Sequence, residues 1–220
     1  MFKMTDDIMV YSDPHFGHKK ILDFCPDRKA VMHSDGFDRH DEWLLQRINS
    51  RIKDREALCL GDFAFNNLEG FISSLNARTN TIILGNHDRK PVSYTARGMN
   101  VVQGIMLQFE NGTPYWRKYD DPLMSAFIWI RKNEVVCFSH YPILHNDPYT
   151  RRNERICSRI DTTKEALSEF IDPNDVVYIH GHLHEMKFEA RNHQCVSLDQ
   201  ISYNPITVGE AIEMAIGRTN

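Results

Sequence analysis

The chain has 220 residues, enough to bury a sizeable core, and its 41% hydrophobic and 25% charged residues exclude an intrinsically disordered protein. A formal charge of −4 gives no general attraction for nucleic acid or anionic lipid, so any polyanion must be met by a local patch. The acidic start Met1-Phe2-Lys3-Met4-Thr5-Asp6-Asp7 lacks the apolar stretch of a signal peptide, and runs such as residues 126–130 are too short to span a bilayer.

In chain order, the first strand-type run is residues 8–11. Residues 38–52 carry Trp43, Leu44, Ile48 and Ile52 at the helical period, and residues 57–60 read as a strand. A second helix is predicted over 67–77 from Leu68, Phe71, Ile72 and Leu75, followed by a strand at 81–84. Between 99 and 130 the runs 101–109 and 126–130 are separated by Asn111-Gly112-Thr113-Pro114 and Asp120-Asp121-Pro122, which predicts antiparallel strands joined by turns. A strand follows at 135–138. Thr162-Thr163-Lys164-Glu165 has capping-box spacing and predicts the start of a helix carrying Leu167, Phe170 and Ile171. The last elements are a strand at 176–179 and a helix at 207–216 with Gly217 as its C-cap. Strands alternating with helices predict an α/β fold with largely parallel central pairing. No repeat or linker divides it, so residues 1–220 are expected to form one domain. The five cysteines show no zinc-site spacing. Cys59 and Cys137 lie in apolar runs and read as core residues of a cytoplasmic, reducing compartment.

The chemistry sits where the apolar runs end. There are 11 histidines, and five strand-type runs lead directly into polar clusters: Ser12-Asp13-Pro14-His15, Gly61-Asp62, Gly85-Asn86-His87-Asp88, Ser139-His140-Tyr141-Pro142 and His180-Gly181-His182-Leu183-His184. In open α/β sheets ligands bind beyond the carboxyl ends of the strands, so these groups are expected at one sheet edge. Asp13 and His15 are one residue apart, as are His182 and His184; in an extended segment each pair points to the same side. Alone, Asp13-Pro14 reads as an ordinary turn and Gly61-Asp62 says less still, while Gly85-Asn86-His87-Asp88 reads equally well as a polar turn and Gly181-His182-Leu183-His184 as two surface histidines. Together they supply more ligands than one metal ion takes, and oxygen and imidazole donors without thiolate suit manganese, iron or zinc. Two ions about 3.5–4 Å apart can share a carboxylate and activate a water as nucleophile.

The series Asp13-x-His15, Gly61-Asp62, Gly85-Asn86-His87-Asp88, His140 and Gly181-His182-x-His184 resembles the complete signature of the calcineurin-like metallophosphoesterases. Asp-Pro-His-Phe-Gly-His at 13–18, Ser-His-Tyr-Pro at 139–142 and the tail from Val196 through Ile206 are similar to a branch of small bacterial and phage members. The resemblance implies a β-sheet sandwich flanked by α-helices and two divalent metal ions, manganese first and iron, zinc or nickel as alternatives. It implies that Asp13, His15 and His184 hold one ion, that Asn86, His140 and His182 hold the other, and that Asp62 bridges both. It further implies that a metal-bridging hydroxide attacks the phosphate ester, that His87 faces the substrate, and that Asp88 orients His87. The chain departs from Ser/Thr protein phosphatases. Gly61-Asp62-Phe63-Ala64-Phe65 lacks their extra acid and arginine, and the third motif ends in Asp88 where they carry Glu.

The expected substrate is a small phosphate ester, a phosphodiester or nucleotide; a nuclease is the alternative, disfavoured by the acidic chain, and a non-catalytic metal-binding module is the competing class. His18 and His145 lie near the motifs, and His18 is a candidate substrate contact. Arg151, Arg152 and Arg155, with Arg159 beyond, read either as a solvated charged face or as a phosphate clamp. Phe16, Tyr141 and Tyr149 are candidates to stack a base. His33, His40 and His193 read as structural.

Overall fold

The computed structural model describes residues 2–143, 153–186 and 190–217. The first part of the chain forms β1 (Met9–Tyr11), α1 (Ile21–Phe24), α2 (Pro26–Ser34), α3 (His40–Ile52), β2 (Glu56–Cys59), α4 (Leu68–Ser74), β3 (Thr79–Ile83), α5 (Pro91–Thr95) and β4 (Asn100–Val102). The second part forms β5 (Gly104–Phe109), β6 (Tyr115–Arg117), β7 (Ser125–Ile130), β8 (Val135–Ser139), α6 (Glu154–Ser168), β9 (Val177–His180), β10 (His193–Cys195), β11 (Ile206–Thr207) and α7 (Val208–Gly217). Two mixed sheets result, in the orders β11-β1-β2-β3-β4 and β10-β9-β8-β7-β5-β6.

Side-chain alternation shows how the layers meet. On β7 and β8, Phe127, Trp129, Val136 and Phe138 join one buried cluster with Val10, Leu58 and Ile82 of the first sheet, so this face lies between the sheets. Ala126, Ile128, Val135 and Cys137 point the other way and pack with Ile156, Ile160 and Leu167 of α6. Trp43, Leu44, Ile48 and Ile52 of α3 belong to the first cluster, burying the face predicted from their spacing. Cys59 and Cys137 are core residues, as read. No helix among the described residues is long and apolar enough to cross a membrane.

Three predictions require correction. The helix assigned to Thr162 starts eight residues earlier, at Glu154, because Asn153 Oδ1 accepts the backbone N–H groups of Arg155 and Ile156 at 3.2 and 3.4 Å. Thr162 and Thr163 lie inside it and donate their hydroxyls back to the carbonyls of Ser158 and Arg159. The run 101–109 breaks at Gln103: β4 extends the first sheet parallel to β3, while β5 enters the second. Gly104 holds φ +73° there, and a side chain on it would collide with the Arg117 carbonyl. β6 pairs antiparallel with β5 through the predicted turn, but the return from β6 delivers β7 to the opposite edge of β5, so β5 and β7 are parallel. The single sheet edge expected to gather the motifs is also replaced by two: β1, β2 and β3 end in the first sheet, β8 and β9 in the second.

Candidate metal centre

Beyond the strands, backbone hydrogen bonds keep zipping the motif loops together. Asp13 N–H donates to Gly61 O at 3.1 Å and His15 N–H to Asp62 O at 3.1 Å, while Gly181 N–H donates to His140 O at 3.0 Å. The two sheets are joined at this end by Ser12, whose N–H donates to Val196 O at 2.9 Å and whose carbonyl accepts from Leu198 N–H at 3.0 Å. Here the local geometry departs from the extended pairs expected. Asp13, His15, Asp62, His182 and His184 all have positive φ, between 44° and 73°. Side-chained residues rarely hold this conformation, and such strain gathers at functional sites.

The seven expected ligands come together. Asp62 Oδ2 lies 3.6 Å from His15 Nε2 and 3.6 Å from His140 Nε2. Asp13 Oδ1 is 3.7 Å from His15 Nε2 and 3.8 Å from His184 Nε2. On the other side, His140 Nε2 is 3.1 Å from Asn86 Oδ1 and 3.2 Å from His182 Nδ1. Three groups among the described residues have cation-binding spacing: Asp13-His15-His184, Asp13-Asp62-His140 and, sharing His184 with the first, Cys25-His184-Asp199. Asp13 Oδ1 and His15 Nε2 are buried with no hydrogen-bond partner, an expensive state for polar atoms that a cation relieves, so the donors fit the metals the resemblance implies.

Electrostatics agree with that fit for Asp13 and His15, whereas His184 must lose a proton to serve. Burial alone would raise the Asp13 carboxyl, yet the imidazoles of His15, His140 and His184 hold it well below the usual range. Burial pushes His15 down to about 3, leaving a neutral ring with a lone pair to give. His184 moves the other way: the carboxylates of Asp199 and Asp13 and the Cys25 thiol outweigh burial and raise it to about 11.

The surrounding groups set the orientation of these donors. His140 Nδ1 lies 2.7 Å from Leu60 O, which turns Nε2 into the site, and His184 Nδ1 lies 2.9 Å from Asp199 Oδ2. Gly85 leaves room for this packing, since a Cβ there would sit 2.8 Å from Asp62 N and 2.9 Å from His140 Cε1. Asp88 differs from expectation. Its carboxylate accepts the N–H groups of Asp62, Phe63 and Gly85 and the Tyr94 hydroxyl, and among the described residues no hydrogen bond joins it to the His87 ring. It fixes two motif loops instead of orienting one side chain. His87 donates its backbone N–H to Asp62 Oδ1 at 2.9 Å and presents an exposed ring 5.3 Å from that of Phe65.

His15, Asp62, Asn86, His87, His182 and His184 line a cleft of about 690 Å³ whose other wall includes His18, Ile21, Phe24, Phe65 and Ile156. His18 stands on that wall, its ring 4.3 Å from Phe65. Arg155 is exposed on the first turn of α6 and is not among the lining residues. Arg151, Arg152, His145 and Tyr149 lie outside the described residues. Arg159 is no clamp: it is buried and donates to Asp121 and to the Tyr141 hydroxyl. Phe16 is fully buried against Phe63 and Phe71, so it cannot stack a base, and Tyr141 packs its ring against His140 and His182. Sequence reasoning missed Arg28, Asp199, Phe24 and Phe65. Asp199 had a signal, because it follows the apolar stretch Val196-Ser197-Leu198 as the other site residues follow theirs.

Comparison with known proteins supports the same reading. The family model described as calcineurin-like phosphoesterase matches residues 7–186. A crystal structure of the protein of unknown function AQ665 from Aquifex aeolicus has a similar fold, with TM-score 0.61 and 20% identity over 94% of this chain and 98% of that one. No curated protein matches the sequence significantly. The match over most of the chain, spanning every motif that meets in the cleft, shows that the chain belongs to the calcineurin-like phosphoesterases.

Proposed function

We propose that the protein is a two-metal hydrolase of small phosphate esters, acting on a phosphodiester or a nucleotide, with manganese as its metal. The observation that carries this reading is the position of Asp62 Oδ2, 3.6 Å from His15 on one side and from His140 on the other, at the floor of a cleft that His87 overlooks. Asp13, His15, His184 and Asp62 would hold one ion; Asp62, Asn86, His140 and His182 would hold the second. When bound, such ions polarise the phosphoryl oxygens and lower the pKa of the attacking water from about 15.7 towards about 7.

The chain's own groups do the rest. Burial and the His140 charge lower the His87 pKa, so its ring is neutral at pH 7 and donates an N–H hydrogen bond to a phosphoryl or leaving oxygen. The Asp62 bond to the His87 backbone fixes that ring beside the donors. Asn86 offers a neutral amide oxygen, which leaves its side of the centre more positive towards a phosphate. Phe65 stacks on His15 at 5.3 Å and limits water on that side. The apolar wall of Ile21, Phe24 and Phe65 suits a flat leaving group such as a nucleobase.

Hydrolysis of bis-p-nitrophenyl phosphate, nucleotides and short oligonucleotides with added Mn²⁺ tests the proposal. Metal-dependent cleavage of the diester and of nucleotides is expected. Preference for oligonucleotides would move the assignment to a nuclease. No release with manganese, iron, zinc or nickel would leave a non-catalytic metal-binding module.

A further inference from the structure

We infer that Arg28 and Asp199 form a buried positioning pair that sets the affinity of one metal site, the one built on Asp13, His15 and His184, and leaves the other untouched. The inference rests on the two-metal reading above. Arg28 lies on α2, a helix that gives no ligand and starts with Pro26 at its first position. Its guanidinium is fully buried and grips Asp199 with a two-pronged contact, Nε to Oδ1 at 2.8 Å and Nη2 to Oδ2 at 2.6 Å.

Apart from an Nη1 contact with His40 Nε2 at 3.4 Å, the remaining donors of Arg28 go to one place. Nη1 donates to Pro14 O at 3.2 Å and Nη2 to Asp13 O at 3.1 Å, so the same group holds the backbone of the Asp13-Pro14-His15 turn. Asp199 Oδ2 lies 2.9 Å from His184 Nδ1 and takes the Ser197 hydroxyl at 3.2 Å. An Nδ1–H donated to that carboxylate fixes the tautomer and aims Nε2 at Asp13 Oδ1. One guanidinium thus aligns three ligands that come from opposite ends of the chain. Among the described residues, no hydrogen bond from Arg28 or Asp199 reaches Asn86, His140 or His182.

Stability alone is a poor account of this pair. Removing two charges from water is expensive, and well-packed apolar residues of similar size often serve a fold as well or better. The pair sets one positive and one negative charge side by side. Its contribution is geometric, and geometry is what a cation with fixed donor distances demands.

Metal titration of the full-length chain tests the inference. Wild type, Asp199→Ala, Asp199→Asn and Arg28→Lys are stripped with a chelator and titrated with Mn²⁺ by calorimetry, with bound ions counted by elemental analysis and folding followed by thermal melting. Wild type is expected to take up two ions. Asp199→Ala should weaken one step about 10–100-fold and leave the other within error, because loss of such outer partners costs metal affinity on that scale. Arg28→Lys should shift the same step by less, since an ammonium cannot grip a carboxylate with two prongs. Asp199→Asn still offers His184 an acceptor and serves if the alanine variant does not fold. Two unchanged steps, or equal weakening of both, would overturn the inference. Uptake of no ion by wild type would instead overturn the metal centre itself.

Discussion

The carboxylate of Asp88 accepts the amide N–H of Asp62 at 2.8 Å, tying the third motif to the backbone of the second. Its oxygens also take the N–H groups of Phe63 and Gly85 and the Tyr94 hydroxyl, all within 3.0 Å. Asp88→Ala leaves these buried donors without an acceptor, and at about 1–3 kcal/mol for one such group the variant should lose roughly 2 kcal/mol of stability or more. Denaturant unfolding measures this. Unchanged stability with lower turnover would return Asp88 to the role of aiming His87.

His87 contributes its ring to the cleft but only its backbone to the donor cluster. His87→Ala should therefore keep the full metal content while turnover falls about 10²–10⁴-fold, the usual range for a lost acid–base or hydrogen-bonding group. Asp62→Ala removes the oxygen lying between His15 and His140 and should lose metal as well. Elemental analysis beside kinetics separates the two. Ions missing from the first variant, or fully kept by the second, contradict the assignment.

The legible part of this site is the part written locally. An apolar run that stops at Asp, Asn or His announces both a strand and the group at its end, which is why Asp13, Asp62, Asn86, His140 and His182 could be read before any fold was known. Arg28 could not. On α2 it looks like one more solvated charge, and its burial follows only from Asp199, 171 residues away. Asp88 misled for a related reason. Its neighbour in sequence is His87, but its hydrogen bonds are fixed by the turn that brings the Asp62 loop against Gly85. The two-sheet arrangement was equally hidden, because alternation on β7 and β8 tells that both faces are buried and not what covers each.

Gly181 gives a sharper test of the packing around Asp13. A Cβ there would meet Ser12 Oγ and lie 2.6 Å from Asp13 Oδ2, the oxygen that accepts the N–H of His182 at 2.8 Å. Gly181→Ala should push Asp13 out of line, weakening metal uptake at least about 10-fold by the same logic as an outer-partner loss. Calorimetric titration checks it. Wild-type affinity in this variant would mean that the loop yields freely.

Metal removal and pH are coupled through the protons that the cations displace. In the metal-free chain burial, reinforced by Asp88 and Asp13, pushes Asp62 up to about 7, while His184 rises to about 11. Both folded values lie above the unfolded ones, about 3.9 and about 6.5. The Asp62 contribution to stability is therefore fully present below about pH 4 and falls as pH rises to about 7. That of His184 is fully present below about pH 6.5 and is lost as pH rises towards about 11. Both shifts make the metal-free protein less stable as pH increases through neutrality, and both protons must leave when cations bind. Manganese should thus bind more tightly at pH 8 than at pH 5.5 and release protons into weakly buffered solution. At a hundredfold excess over Kd the stabilisation is about 2.7 kcal/mol, a shift that thermal melting resolves. A manganese-induced rise in Tm at pH 5.5 equal to or larger than that at pH 8 would show that Asp62 and His184 surrender no protons to the metals.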